Sequence, residues 1–463
     1  MGRAILALLI LIGAVLIILW IAGPNAFTRP LVFEKALRIA DVKYSEWAFP
    51  RCVLEINATH VVYTCWARRC VDVKLVDGRR YWSCGINHTV IEVADLVNKR
   101  FTVYERFNLT PFGLGVFGRA VRNGTFEYRR VSLWFYPELN YSVIYTSYIP
   151  SRNEFRFQIA FFTYEEGECK GTVCYYTYRP DPGEEPRDAE EVWCRVIEEW
   201  LDINCSFVAV NPAKHCTWPE KVVMRRLPTY EVVFDDDYRK FRCEFVDGLG
   251  VTIVIYVPGL KPLDTGPRRA GVFCKPYWIM IVSPLLTTHP LSITTTFLHE
   301  FGHALGLGDL YRVEKRGDLY WIEKRSRWPP WAEQLVKNSI MGVGMVDDYR
   351  SFRATRGVSL ADALVIFRNV YRAVQRYRPD VAQRIYEKLL SYGYDPANHT
   401  LVLPIDEHGE IPPPFSTVIE QGITWYEWSP KEKKWVQIFN YDLPKLLKAI
   451  ARVAKQCQIE STS

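Results

Sequence analysis

The residues best equipped for chemistry are His299, Glu300 and His303, in the run His299-Glu300-Phe301-Gly302-His303. Residues four apart on an α-helix lie on one face, one turn above the other. Both imidazoles can therefore reach one metal ion. Glu300 then stands beside that ion, placed to handle a proton of the water that the metal activates. Gly306 and Asp309 follow, which extends the pattern to H-E-x-x-H-x-x-G-x-x-D. Glycine at 306 lets the chain leave the helix with positive φ, a conformation costly for other residues. The turn brings Asp309 back toward the two imidazoles. Three protein ligands with one open position make a catalytic zinc site. A helix whose histidines merely pack has no use for the intervening acid, the terminating glycine or the third ligand.

A helix has to carry this pattern. Pro290 and Ser292 open it, Phe297, Phe301 and Leu305 form its apolar stripe, and Gly306 ends it. The apolar runs before it, residues 251–257 (VTIVIYV) and 278–282 (WIMIV), read as strands. The second of these is the expected edge strand on which an extended peptide would lie. A long helix is expected over residues 360–376, with Leu360, Leu364, Phe367, Tyr371 and Val374 at helical spacing as core. Ser359 and Asp362 give it a capping-box-like start. Pro379 breaks that pattern and opens a further helix over residues 380–392. The tail reads as a hairpin, ITWYEW against KKWVQIF, and a basic amphipathic helix over residues 443–455. Such a helix packs on its own domain more often than on a membrane.

Upstream, residues 31–216 are rich in Tyr, Trp, Phe and Val in short runs broken by Gly, Pro and Asn, the signature of a mostly β region. Eleven of the twelve cysteines lie between Cys52 and Cys274, none in C-x-x-C spacing, which reads as a disulfide framework in an oxidising compartment. The odd number in that group leaves one over unless it pairs with Cys457. Asn-x-Ser/Thr triplets at Asn57, Asn87, Asn108, Asn123, Asn140 and Asn204 cluster in the same region, with one more at Asn398. Residues 4–22 carry no charge over 19 positions, close to the ~20 that span a bilayer. That length and the absence of a small-x-small cleavage site favour an uncleaved anchor over a signal peptide. The net charge of +6 over 463 residues, with no Lys/Arg block, leaves no nucleic-acid footprint.

Residues 299–309 resemble the zinc-binding consensus of the metzincin metalloproteases, and Ser339-Ile340-Met341-Gly342 resembles the Met-turn that follows it in that family. The resemblance implies that Met341 lies beneath the metal as a hydrophobic base. Val358-Ser359-Leu360-Ala361-Asp362-Ala363 is similar to the start of the C-terminal helix in the matrixin branch. The resemblance covers about a third of the chain, residues 218–377. The chain departs from the pattern twice. Asp309 stands where His is the commonest third ligand, and Val343 stands where some branches carry Tyr. A carboxylate ligand lowers the net charge of the site and widens the choice of metal. The charged segment between Leu310 and Ser339 is expected to shape substrate specificity. Pro50-Arg51-Cys52-Val53 is similar to the matrixin inhibitory switch, in which a thiolate fills the open zinc position, although a disulfide role for Cys52 is the stronger expectation.

The expected chain is therefore α+β. An N-terminal transmembrane anchor (1–30) precedes a disulfide-rich β domain outside the cytoplasm (31–216). A metzincin-like catalytic domain (217–377) follows, with a twisted mixed sheet, an active-site helix and a C-terminal helix, and then a helical and hairpin extension (378–463). The expected activity is zinc-dependent endopeptidase action on protein or peptide substrates at a membrane, with His299, His303 and Asp309 on Zn2+ and Glu300 as base. The alternative is a surface binding or adhesion glycoprotein whose metal site is non-catalytic or processes only its own chain.

Overall fold

Alternation of buried and exposed residues sets the first sheet. Along His60–Leu75 (β3), Val61, Tyr63, Cys65 and Ala67 are buried, while Trp66 between them is exposed. The computed structural model describes residues 39–46, 51–75, 78–108, 117–139, 143–170, 173–181, 190–219, 221–226, 232–233, 240–256, 271–274, 279–282, 290–316, 319–324, 328–337, 339–342, 358–420, 425–429, 434–439 and 442–462. These residues form a mixed α/β protein of two compact units, residues 1–124 and 125–463. The expected anchor at residues 4–22 lies outside the described residues. Among the described residues, no helix is long and apolar enough to cross a membrane.

Unit 1 is an antiparallel sheet. Ile39–Glu46 (β1) and Arg51–Ile56 (β2) pair with β3, β3 pairs with Arg80–Asp95 (β4), and β4 with Arg100–Asn108 (β5). Disulfides staple neighbouring strands: Cys52 to its register partner Cys65, and Cys70 to Cys84. Phe117–Ser132 (β6) carries the chain across the boundary between the units.

In unit 2 the long strand Glu154–Lys170 (β7) is central. It pairs antiparallel with Val173–Asp181 (β8), and parallel with both Asn204–Ala209 (β9) and Val251–Tyr256 (β11). Lys221–Arg226 (β10) lies beyond β8. On the other side, β11 pairs parallel with Ile279–Val282 (β13), and Gly271–Cys274 (β12) closes the edge antiparallel to β13. Parallel neighbours are buried on both faces, and Phe155, Phe157, Ile159, Ala160, Phe161 and Phe162 of β7 are all at most 1% exposed.

Two expectations change here. The strand at 279–282 is interior, and the edge is β12, because the antiparallel return at 271–274 covers it. The boundary expected between residues 216 and 217 falls inside one sheet, since β7 and β9 on its N-terminal side pair with each other and β7 pairs with β11.

The helices include Arg195–Leu201 (α1), Pro290–Ala304 (α2), Pro330–Val336 (α3), Leu360–Tyr377 (α4), Pro379–Ser391 (α5), Phe415–Glu420 (α6) and Leu443–Thr462 (α7). The capping box at Ser359 and Asp362 starts α4. The segment expected to shape specificity forms a hairpin, Tyr311–Arg316 (β14) against Leu319–Lys324 (β15), followed by α3. Residues after 377 are no mere extension: Thr400–Asp406 (β16) pairs along Phe126–Ser132, and Leu443, Leu446, Leu447 and Ile450 of α7 are buried. The expected tail hairpin is Trp425–Ser429 (β17) against Lys434–Phe439 (β18). Cys194 is bonded to Cys205 and Cys216 to Cys243, while Cys457 is free.

Candidate metal centre

Aromatic packing aims the helix that carries the histidines. Phe301 on α2 is fully buried, with its ring 5.5 Å from Phe157 on β7 and 4.8 Å from Phe207 on β9. Phe297 stacks one turn earlier, 5.9 Å from Phe301. Two positions along a helix is a rotation of about 200°. Docking the phenylalanine face on the sheet therefore turns His299 and His303 away from it.

The helix ends as its sequence requires. Gly306 has φ +95°. Its N–H donates to His303 O, and Leu307 N–H donates to Gly302 O, each at 3.0 Å. These two bonds are a Schellman closure, and a Cβ at the left-handed position would strain it. From α4, the Asn369 amide donates to Leu305 O at 3.0 Å.

The turn brings three potential ligands together. One donor atom each from His299, His303 and Asp309 lies within 4.8 Å of the others. His299 Nε2 is 3.2 Å and His303 Nε2 3.4 Å from Asp309 Oδ1. Each imidazole uses its other nitrogen on the main chain: His299 Nδ1 donates to Ile340 O and His303 Nδ1 to Leu307 O, both at 2.8 Å. A carbonyl oxygen only accepts, so both Nδ1 atoms carry hydrogen. In neutral rings the Nε2 atoms then present lone pairs toward a carboxylate oxygen. Three electron pairs converging on one point need a cation among them, either a proton or a metal.

Electrostatics agree with that reading. Burial opposes the His299 imidazolium, but the Asp309 hydrogen bond and the nearby Glu300 charge outweigh it and raise the pKa to about 9. Burial likewise opposes ionisation of Asp309, yet the hydrogen bonds from His299 and His303 hold its carboxyl well below the usual range. Without metal the site holds a proton between donors that a metal would replace. Two imidazole nitrogens and one carboxylate oxygen form a borderline N/O set suited to several divalent ions. Glu300 is 4% exposed, beside His299 on α2.

Met341 lies under the helix. It is fully buried, and a Cβ at Gly302 would come within 2.5 Å of its Sδ. Only glycine at 302 lets the methionine approach this closely. Met341 O accepts from Leu310 N–H at 3.1 Å, which ties the Met-turn to the residue after Asp309. Beneath it, the fully buried Asp362 carboxylate accepts from Tyr136 Oη at 2.5 Å, Ser339 Oγ at 2.7 Å and Ser359 N–H at 2.8 Å. Burial pushes the Asp362 pKa up, and these three bonds pull against it. Ser339 Oγ in turn accepts from Met341 N–H at 3.0 Å.

The structure thus brings His299, His303 and Asp309 together, with Glu300 on the same helix, Gly306 at its end and Met341 packed against Gly302. Val343 lies outside the described residues. Cys52 is bonded to Cys65 and has no thiolate to offer a metal, so its role as an inhibitory thiol is corrected to that of a strand staple. Sequence reasoning missed the carbonyls of Leu307 and Ile340, Tyr136 and the segment that follows it. Asp362 was visible only as a cap. No local pattern marks any of these as neighbours of the His-His-Asp cluster. Comparison with protein-family models, curated proteins and solved structures finds no match to this chain.

Proposed function

We propose that this protein is a zinc-dependent endopeptidase of metzincin-like design, anchored in a membrane with its catalytic part outside the cytoplasm. The observation that carries the reading is the convergence of His299 Nε2, His303 Nε2 and an Asp309 oxygen, each imidazole oriented by a carbonyl on its far nitrogen. A non-catalytic metal site has no need of a buried acid beside it, and Glu300 is that acid. The mixed sheet, the helix bearing the pentad, the buried methionine and the capped helix α4 are the parts that the metzincin resemblance leads one to expect.

Zinc held by His299, His303 and Asp309 supplies the Lewis acidity that peptide hydrolysis needs. Glu300 takes the proton of the attacking water and passes it to the departing amine. The substrate lies extended against β12, an edge of the mixed sheet among the described residues, and pairs through its main chain. The hairpin β14–β15 and helix α3 shape the pocket beyond the scissile bond.

The test is metal content and casein cleavage by the protein and by its Glu300→Gln variant. About one zinc in both with cleavage only in the parent is expected. A well-folded Glu300→Gln protein that still cleaves would remove Glu300 from its role. Protein that takes up no zinc would end the reading.

One observation favours a binding function for unit 1. Val53, Ile91 and Tyr104 share one cross-strand row on the sheet, with Trp66 two residues along β3 on the same face, and all four are exposed. An exposed apolar sheet face of this kind marks a contact surface. It supports the second reading, a surface binding glycoprotein, which zinc in both proteins with cleavage in neither would favour.

A further inference from the structure

The turn that carries the third ligand is clasped by a segment from far upstream. Three consecutive turn residues touch it. Leu139 N–H donates to Gly306 O at 3.0 Å, and Leu307 forms an isolated antiparallel bridge with Glu138. Gly308 lies so close that a Cβ there would sit 2.3 Å from Pro137 O. The residue after Gly308 is Asp309, and Leu307 supplies the carbonyl that orients His303.

The clasp has its own anchor. Both carboxylate oxygens of Glu138 lie 2.6 Å from a guanidinium nitrogen of Arg368 on α4. Arg368 is 1% exposed and lies under the Trp134 ring, 4.1 Å from its centroid. His399 Nε2 stands 3.1 Å from Glu138 Oε1 and its Nδ1 is 2.8 Å from Tyr394 Oη, which is in turn 2.9 Å from Leu364 O. His399 is itself fully buried, in the left-handed region with φ +50°. Arg368, His399 and Tyr394 are thus buried around the part-buried Glu138 where ordinary apolar packing would have been easier. None of them reaches the metal donors. What they hold in place is the main chain at 138, which holds the main chain at 306 and 307.

We propose that Glu138, clamped by Arg368, is a positioning residue for the metal site: it fixes the clasp of residues 137–139 on the turn and thereby sets the placement of Asp309 and of the carbonyl that orients His303. The proposal deepens the metal reading above and rests on it. Coupling of this kind is reciprocal. If the clasp favours metal binding, then metal must favour the closed clasp.

Two measurements test it. In the first, zinc affinity of the full chain is measured by chelator competition, and the absorption of the cobalt-substituted protein is recorded. Parent, Glu138→Gln and Leu446→Ala are compared, the last a core truncation in α7 as a control for general loss of stability. Glu138→Gln is expected to weaken zinc about tenfold and to alter the cobalt spectrum, as supporting-shell changes do. Leu446→Ala is expected to lower the melting temperature and leave both unchanged. In the second, hydrogen exchange at the Leu139 amide of the parent is followed with and without zinc, and a slowing of about fivefold or more is expected. This needs no variant to fold. Parent-like zinc affinity in Glu138→Gln, or a Leu139 amide indifferent to zinc, overturns the proposal. A parent that binds no zinc overturns the metal reading first and is seen before any variant is made.

Discussion

Replacing Gly308 by alanine decides whether the turn before Asp309 is held by close contact. The new methyl carbon would lie 2.3 Å from Pro137 O, and 3.0 Å from the carbonyl carbon and Cβ of the same residue. Carbon and oxygen settle at about 3.3–3.6 Å even when they attract. The turn and the upstream segment must therefore part by about 1 Å. Neither side is free to go. Leu139 N–H is bonded to Gly306 O, and Tyr136 to the buried Asp362. Forcing an extra methyl into such a contact costs about 1–3 kcal/mol. The backbone argues the other way. Gly308 does not share the positive φ of Gly306, so alanine alone would stabilise by about 0.4–1 kcal/mol through a stiffer unfolded chain. The net expectation is a loss of about 1–2 kcal/mol. Displacing Asp309 should also weaken zinc about tenfold. Urea unfolding of the metal-free protein and chelator competition for zinc read the two effects. A Gly308→Ala protein that gains stability and keeps its zinc affinity would refute the close-contact argument, because the sign itself is at stake.

Two further outcomes follow from the site. The pKa of His299 is raised to about 9, so in metal-free protein its proton-linked stability is fully present below about pH 6.5 and lost as pH rises through about 9. Zinc must displace that proton, so affinity should fall roughly 100-fold between about pH 8 and about pH 6, with about one proton released per zinc; titration calorimetry in buffers of different ionisation enthalpy that finds no released proton would contradict this. Asp362 accepts from three donors at once, and an amide at that position turns one of them against another donor. Asp362→Asn should cost about 2–3 kcal/mol in urea unfolding, and an unchanged midpoint would show that the carboxylate does not knit the Met-turn to α4.

What could be read from the sequence were the features with local causes. Gly306 ends α2 because a single residue needs positive φ, and Ser359 with Asp362 starts α4 through bonds that span three positions. The strands at 251–256 and 279–282 were legible as apolar runs between breakers. Their order was not, since the return strand at 271–274 that buries one of them carries no signal of pairing. Nor was the partnership of β7 with β11, which joins residues 158–163 to 251–256 across most of 100 positions. Periodicity reports which face of a strand is buried and is silent about the strand beside it. The cysteine pairs were closed to reading for the same reason, because spacing alone does not choose among connectivities.

The same limit explains why an eleven-residue motif names the donors of a metal site without building it. His299 is oriented by Ile340, His303 by Leu307, and the turn between His303 and Asp309 by residues 137–139. Helix α2 faces the right way because Phe157 and Phe207 receive Phe301. All but two of those supports come from outside the stretch that contains the motif and its Met-turn. A chain starting at residue 217, where composition alone suggested a domain edge, would keep every proposed ligand. It would lose β7, β9 and the clasp, leaving two imidazoles on a helix without the rings that receive Phe301 and a third ligand on a turn without the segment that clasps it. The proposed ligands are local in sequence, and the geometry that makes them a site belongs to unit 2 as a whole.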